Sequence, residues 1–109
     1  MHLIGDVTDR DVLLVDDMIS TAGTMTEAVT LLKATGCRRV FLAATHGVFA
    51  GPAMERLRTV EAEEISVTDS IPPPEGAEGL INVLPAGPLL GEAILRIHLS
   101  ESISSLFVD

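Results

Sequence analysis

The sequence predicts an α/β fold, a parallel sheet flanked by helices, and three observations predict it. Short apolar runs alternate three times with stretches of helical periodicity, the pattern of strands joined by crossover helices. The first of these runs closes on an acidic pair and a small-residue turn, as a strand does where it empties into a loop. The 109 residues, 47% of them apolar, are enough for one domain with a modest core.

Val12 to Val15 is the first strand, followed by Asp16-Asp17 and the turn Ser20-Thr21-Ala22-Gly23-Thr24. From Thr24 to Thr35, Met25, Ala28, Val29, Leu31 and Leu32 fall close to helical spacing, with Thr24 as the expected cap and Gly36 as the stop. Arg39 to Ala44 reads as a second buried strand ending at Thr45-His46-Gly47. A short helix follows from about Gly51 to Thr59, with Pro52 near its start, where a missing N–H does no harm. Glu64 to Thr68 is a third strand closing on Asp69-Ser70. The stiff Pro72-Pro73-Pro74 loop leads to a short strand over Leu80 to Leu84. Leu89 to Leu99 is the last helix, with Leu90, Ala93, Ile94 and Ile97 on one side. So thin a sheet has open edges, and the high apolar content points to partners that cover it.

Composition narrows the function. A formal charge of −9 argues against nucleic acid, because neutralising phosphates takes clustered Lys and Arg. Arg38-Arg39 reads as a solvated strand entry and Arg56 with Arg58 as a helix face. Cys37 is the single cysteine, which leaves no internal disulfide and makes it a small packing residue. Met1 to Asp6 lacks the basic region and apolar run of a signal peptide, and no stretch approaches the ~20 apolar residues of a membrane span. The expected setting is cytoplasmic, with no membrane partner.

The candidate site is the first strand's carboxyl end. Ligands of open α/β sheets collect there, and a helix amino terminus offers free N–H groups to an anion. Thr21, Gly23 and Thr24 supply hydroxyls and a backbone that a phosphate can approach. Carboxylates repel a phosphate but accept hydrogen bonds from sugar hydroxyls, so the pattern implies a sugar phosphate. Asp16 and Asp17 face opposite ways in an extended strand, so both reach one ligand only if the backbone turns there. The plainer alternative is that one caps the helix and the other is solvated. His46 stands at a strand end on the ligand side. His98 reads as a partly buried packing residue and His2 as solvated. The three histidines form no metal site. Met18 and Met25 flank the loop as core or wall filling.

Val12 to Thr24, VLLVDDMISTAGT, resembles the phosphoribosyl-diphosphate (PRPP) motif of type I phosphoribosyltransferases and ribose-phosphate diphosphokinases (PRPP synthetases). Gly5-Asp6-Val7, Ala44-Thr45-His46 with Phe49 and Gly51, Asp69-Ser70-Ile71-Pro72 and the closing Glu101 to Phe107 resemble the carboxyl-terminal part of a PRPP synthetase. The resemblance implies a partial type I phosphoribosyltransferase-like, Rossmann-like domain over residues 1–109. It implies that Asp16 and Asp17 bind the ribose hydroxyls of ribose 5-phosphate, and that Ser20, Thr21, Ala22, Gly23 and Thr24 hold its 5-phosphate. The family reaction moves the β,γ-diphosphoryl group of ATP, with magnesium, onto the ribose 1-hydroxyl, and family members form homo-oligomers. The closing Ser102 to Phe107 segment would lie near a nucleotide regulatory site.

Two positions depart from the family pattern: many relatives carry Asp where Ser20 stands and Gly where Ala22 stands. Ala22 matters only if that position needs positive φ. The family's Lys/Arg catalytic loop, diphosphate loop and ATP-binding domain precede the matched stretch, and Lys33 is the single lysine here. The expectation is a fragment that supplies the ribose 5-phosphate half-site, with no catalytic residue and no metal ligand of its own. ATP and most magnesium contacts would come from the missing portion. A non-catalytic regulatory subunit of the same family, or another type I phosphoribosyltransferase, is the alternative. A response-regulator receiver shares the acidic strand end. It needs a phosphoacceptor Asp where Ala44-Thr45-His46 stands and a later lysine, and has neither here.

Overall fold

The computed structural model describes residues 3–107, so the expectation for His2 lies outside the described residues. Four strands form one sheet: β1 (Asp11–Ile19), β2 (Arg39–Gly47), β3 (Glu64–Thr68) and β4 (Ile81–Leu84). They lie in the order β1-β2-β3-β4 and every pairing is parallel. Helices α1 (Gly23–Ala34) and α2 (Ala53–Thr59) make the first two crossovers, and α3 (Gly87–His98) follows β4. Ser104–Phe107 closes the described chain as a 3-10 turn.

The core lies on one face of the sheet. Val40, Leu42 and Ala44 of β2 and Ile65 and Val67 of β3 point into it, as the two-residue period of a strand requires. Met25, Val29 and Leu32 of α1 and Ala53 and Leu57 of α2 cover them. Both crossover helices fall on the same face because the strands advance across the sheet in one direction. Cys37 is buried in this core, the packing role its position suggested. Gly36, at φ 97°, ends α1 in a left-handed turn, with the Cys37 amide donating to Leu32 O and the Gly36 amide to Lys33 O.

β1 and β2 are longer than their apolar runs. The ladder carries on through Asp16 against Ala44, Met18 against His46 and Ile19 against Gly47, because backbone pairing continues into a solvated rim whatever the side chains are. α2 starts two residues later than expected, with Pro52 just ahead of it. α3 starts two residues earlier, with Pro88 in its first turn.

The opposite face is uncovered. Leu13 is 61% exposed and Val15 71%, beside the half-buried Phe41 and Ala43. Across β3 and β4 this face is polar: Asn82 donates to Glu64 Oε1 at 2.9 Å and to Ser66 Oγ at 3.2 Å. α3 buries none of its residues and makes no extended contact with another element. Its amphipathic pattern is as expected, but Leu90, Ile94 and Ile97 face solvent, and His98 is exposed rather than partly buried. The radius of gyration, 16.4 Å, exceeds the ~13 Å of a compact chain of this length, as the projecting helix requires.

Candidate functional site

Between β1 and α1 the backbone from Ser20 to Gly23 turns sharply enough to place Ala22 at φ 66°. Ala22, not Thr24, precedes the first helical residue, and no side chain caps the helix. Thr24 lies one residue inside α1 with its side chain exposed. The conditional cost attached to Ala22 therefore applies: a Cβ is carried in the left-handed region.

The loop is held from one side. The amides of Val48 and Phe49 both donate to Ile19 O at 3.0 Å, and the amide of Ala50 donates to Ser20 O at 2.8 Å. The Arg56 guanidinium, from α2, donates to Thr21 O at 3.0 Å. Ala22 O accepts from the amide and hydroxyl of Thr26, and Gly23 O accepts from the same hydroxyl. Five successive carbonyls are thus engaged. Among the described residues, the amides of Thr21, Ala22, Gly23, Thr24 and Met25 donate to no protein acceptor. Consecutive free amides at a helix start are donors suited to an anion.

Beside the loop lies a hollow of about 140 Å³, lined by Asp16, Met18, Ile19, the loop residues Ser20 to Thr24, and Met25. Met25 is buried and Met18 half exposed, so both serve as wall. Asp16 and Asp17 do not sit at a turn, since β1 runs on to Ile19. By strand alternation they project to opposite faces, and Asp16 alone of the pair lines the hollow. The Asp17 amide donates to Asp16 Oδ1 at 2.7 Å, which leaves the other oxygen of that carboxylate free to accept. Among the described residues no three His, Cys, Asp or Glu side chains group as a metal cage.

Other groups sit on the same rim of the sheet. His46 Nδ1 lies 2.7 Å from Ser70 Oγ, and Thr68 Oγ1 donates to Thr45 O at 2.7 Å. Asp69 Oδ1 accepts from the Ala86 amide at 2.9 Å, which fixes the entry to α3. Gly47 matches Phe49: a Cβ on Gly47 would collide with the Phe49 ring. That close approach lets the segment after β2 fold back over the loop. A larger hollow, about 330 Å³, lies between α1 and α2. The hydroxyls of Thr26, Thr30 and Thr59 on its wall are all spent on helix carbonyls, and Lys33 Nζ is spent on Arg38 O, so it offers a ligand little.

Arg56 is the participant that reading the chain missed. Its contact spans 35 residues, and nothing around it in sequence separates it from a solvated helix face. Arg38 and Arg39 were also read as merely solvated. Both are exposed, yet both grip the Asp11 carboxylate, at 2.8 and 2.6 Å.

These features define an α/β domain with a loop of free amides at the carboxyl ends of its strands. The chain belongs to the phosphoribosyl synthetase-associated domain family, whose sequence model matches residues 1–108. Among curated proteins it is 51% identical over 109 residues to a ribose-phosphate pyrophosphokinase of Haemophilus ducreyi, covering 98% of this chain and 34% of that protein. It is 45% identical over 107 residues to the Aquifex aeolicus ribose-phosphate pyrophosphokinase, with the same coverage of 98% and 34%. The crystal structure of phosphoribosylpyrophosphate synthetase from Mycobacterium smegmatis superposes with a TM-score of 0.82 at 40% identity, over 89% of this chain and 33% of that one. The chain spans about a third of the length of the curated relatives it matches.

Proposed function

We propose that this chain supplies the ribose 5-phosphate half-site of a ribose-phosphate diphosphokinase, the enzyme that converts ATP and ribose 5-phosphate to AMP and PRPP. The observation that carries the reading is the run of free amides from Thr21 to Met25 beside the Asp16 carboxylate. In this reading residues Ser20, Thr21, Ala22, Gly23 and Thr24 form the 5-phosphate loop, the last four through those amides and Ser20 through its hydroxyl, with no compensating lysine needed at the loop. The free oxygen of Asp16 accepts a hydrogen bond from a ribose hydroxyl. Asp17 reaches the same sugar only with a local turn of β1, so Asp16 carries the larger share.

Diphosphoryl transfer needs cations aimed at the migrating charge. The hollow is lined by Asp16 and by no Lys or Arg, which fits a half-site that acts beside a second, cationic one. Magnesium is held largely by substrate phosphates in such reactions, needing few protein carboxylates. Its remaining contacts would come from the portion that the relatives carry beyond the matched third, and ATP would bind there too. We place the reaction in the cytoplasm and treat residues 1–109 as one domain of a homo-oligomeric enzyme.

Complementation tests this directly. The chain is mixed with the unmatched two thirds of the Haemophilus ducreyi relative, magnesium, ATP and ribose 5-phosphate, and PRPP and AMP are measured. Appearance of both in equal amounts supports the enzyme. Ribose 5-phosphate binding without any product supports instead a non-catalytic regulatory subunit of the family, a reading in keeping with the structural contacts that occupy Lys33, Arg38, Arg39 and Arg56.

A further inference from the structure

We propose that Arg56 is a positioning residue for the loop: its hydrogen bond to Thr21 O sets the orientation of the Thr21–Ala22 peptide, and thereby aims the Ala22 amide at the ligand. The inference rests on the reading above for the nature of the ligand, an anion, but not for the geometry.

The carbonyls of Ile19, Ser20 and Thr21 are restrained one after another by the segment that follows β2. The first two are held by backbone amides, which any sequence can supply. The third is held by a side chain alone, so it is the link that depends on residue identity. In a trans peptide the carbonyl and the following N–H point in opposite directions. Holding Thr21 O toward α2 therefore directs the Ala22 N–H away from α2.

The same peptide is where the loop is least comfortable. Ala22 sits at φ 66°, where the Cβ of an L-residue crowds the following carbonyl oxygen. A rotation of the Thr21–Ala22 peptide plane would carry Ala22 back to negative φ and turn its amide out of the cradle. Such strain persists only where surrounding contacts over-determine the backbone. Arg56 is the contact that opposes this rotation. The guanidinium also packs closely over the next residue: a Cβ at Gly23 would meet Arg56 Nη1 at 3.1 Å. Gly23 and Arg56 are matched to each other, and a guanidinium behind the loop adds positive potential to the dipole end of α1.

The test uses the full chain with Arg56→Met, which keeps the stem and loses the donor, and Arg56→Lys, which restores a charged donor of similar reach. The coupling between the amide and Cα protons of Ala22 reports φ without any ligand, and inorganic phosphate is then titrated into each protein. Arg56→Met is expected to shift the Ala22 coupling toward negative φ and to weaken phosphate binding about tenfold, the scale of one hydrogen bond from a charged donor. Arg56→Lys is expected to restore most of both at unchanged melting temperature. An Ala22 coupling that stays the same in Arg56→Met overturns the inference whatever phosphate does. A coupling that changes in a protein whose wild type binds no phosphate upholds the positioning role and counts against the anion-site reading instead.

Discussion

At Ala22 the chain accepts a left-handed backbone without a glycine, and the carbonyl tethers on either side explain how that conformation survives. Ala22 is also buried, so replacing it by glycine sets relief of the strain against the lost methyl and the extra backbone entropy of glycine. Ala22→Gly should therefore change stability by less than about 1 kcal/mol, whereas a buried alanine in right-handed backbone would lose about 1.5–2 kcal/mol. Urea unfolding would show this as a nearly unchanged midpoint at unchanged slope, and a loss of about 2 kcal/mol would mean that Ala22 is not left-handed. Asp16 makes a separable contribution, because its carboxylate would meet the sugar and not the phosphate. Asp16→Asn should weaken ribose 5-phosphate about tenfold, from loss of a charged acceptor, while inorganic phosphate binds as well or better. Calorimetry with the two ligands side by side distinguishes this from general damage to the loop. That a turn stands between the first strand and the first helix was legible in the sequence, because small and hydroxyl residues follow the buried run there. Arg56 was not, because a helix-face arginine and a tether 35 residues away look alike along the chain.

Among the elements, the strands show what local patterning can and cannot specify. β3 matches its expected bounds at Glu64–Thr68 because an alternating, half-buried strand announces itself. β1 and β2 overran their apolar runs because a ladder, once begun, pairs polar residues at the rim as readily as apolar ones. That overrun bears on the site, since it keeps Asp16 and Asp17 in extended backbone and divides them between two faces. At the other end of the same strands, Asp11 receives two guanidinium groups. Hydrogen bonds from Arg39 and then Arg38 hold its carboxyl far below the ordinary 3.8. A carboxylate depressed in the folded state stabilises the fold at pH above its unfolded value and loses that contribution as pH falls toward the folded one. The stability gap between the wild type and Asp11→Asn should therefore be full above about pH 4 and shrink steadily below it. Because the pair is exposed, added salt should narrow the gap as well. Acid titration of both proteins by circular dichroism checks the sign. A gap that widens on acidification would contradict the ion pair.

For the whole molecule, the outstanding fact is how much apolar surface stands uncovered among the described residues. One sheet face shows Leu13 and Val15, and α3 shows Leu90, Ile94 and Ile97, so the helix that the sequence marks as amphipathic has no sheet beneath its apolar side. The amphipathic pattern was readable because it is local; that no described element covers it was not, because the sequence specifies a face and not what meets it. Contiguous exposed apolar surface drives association. The chain should sediment as concentration-dependent oligomers, and Leu90→Glu with Ile94→Glu should shift it toward monomer; a wild-type monomer at high concentration would contradict this. The proposed role of the fold, however, rests on the amide loop. Titrating ribose 5-phosphate into the isotope-labelled chain and following its amide resonances tests that claim most directly. The account predicts saturable shifts concentrated at Thr21 to Met25 and around Asp16. Shifts confined to the hollow between α1 and α2, or a loop that does not respond at all, would contradict it.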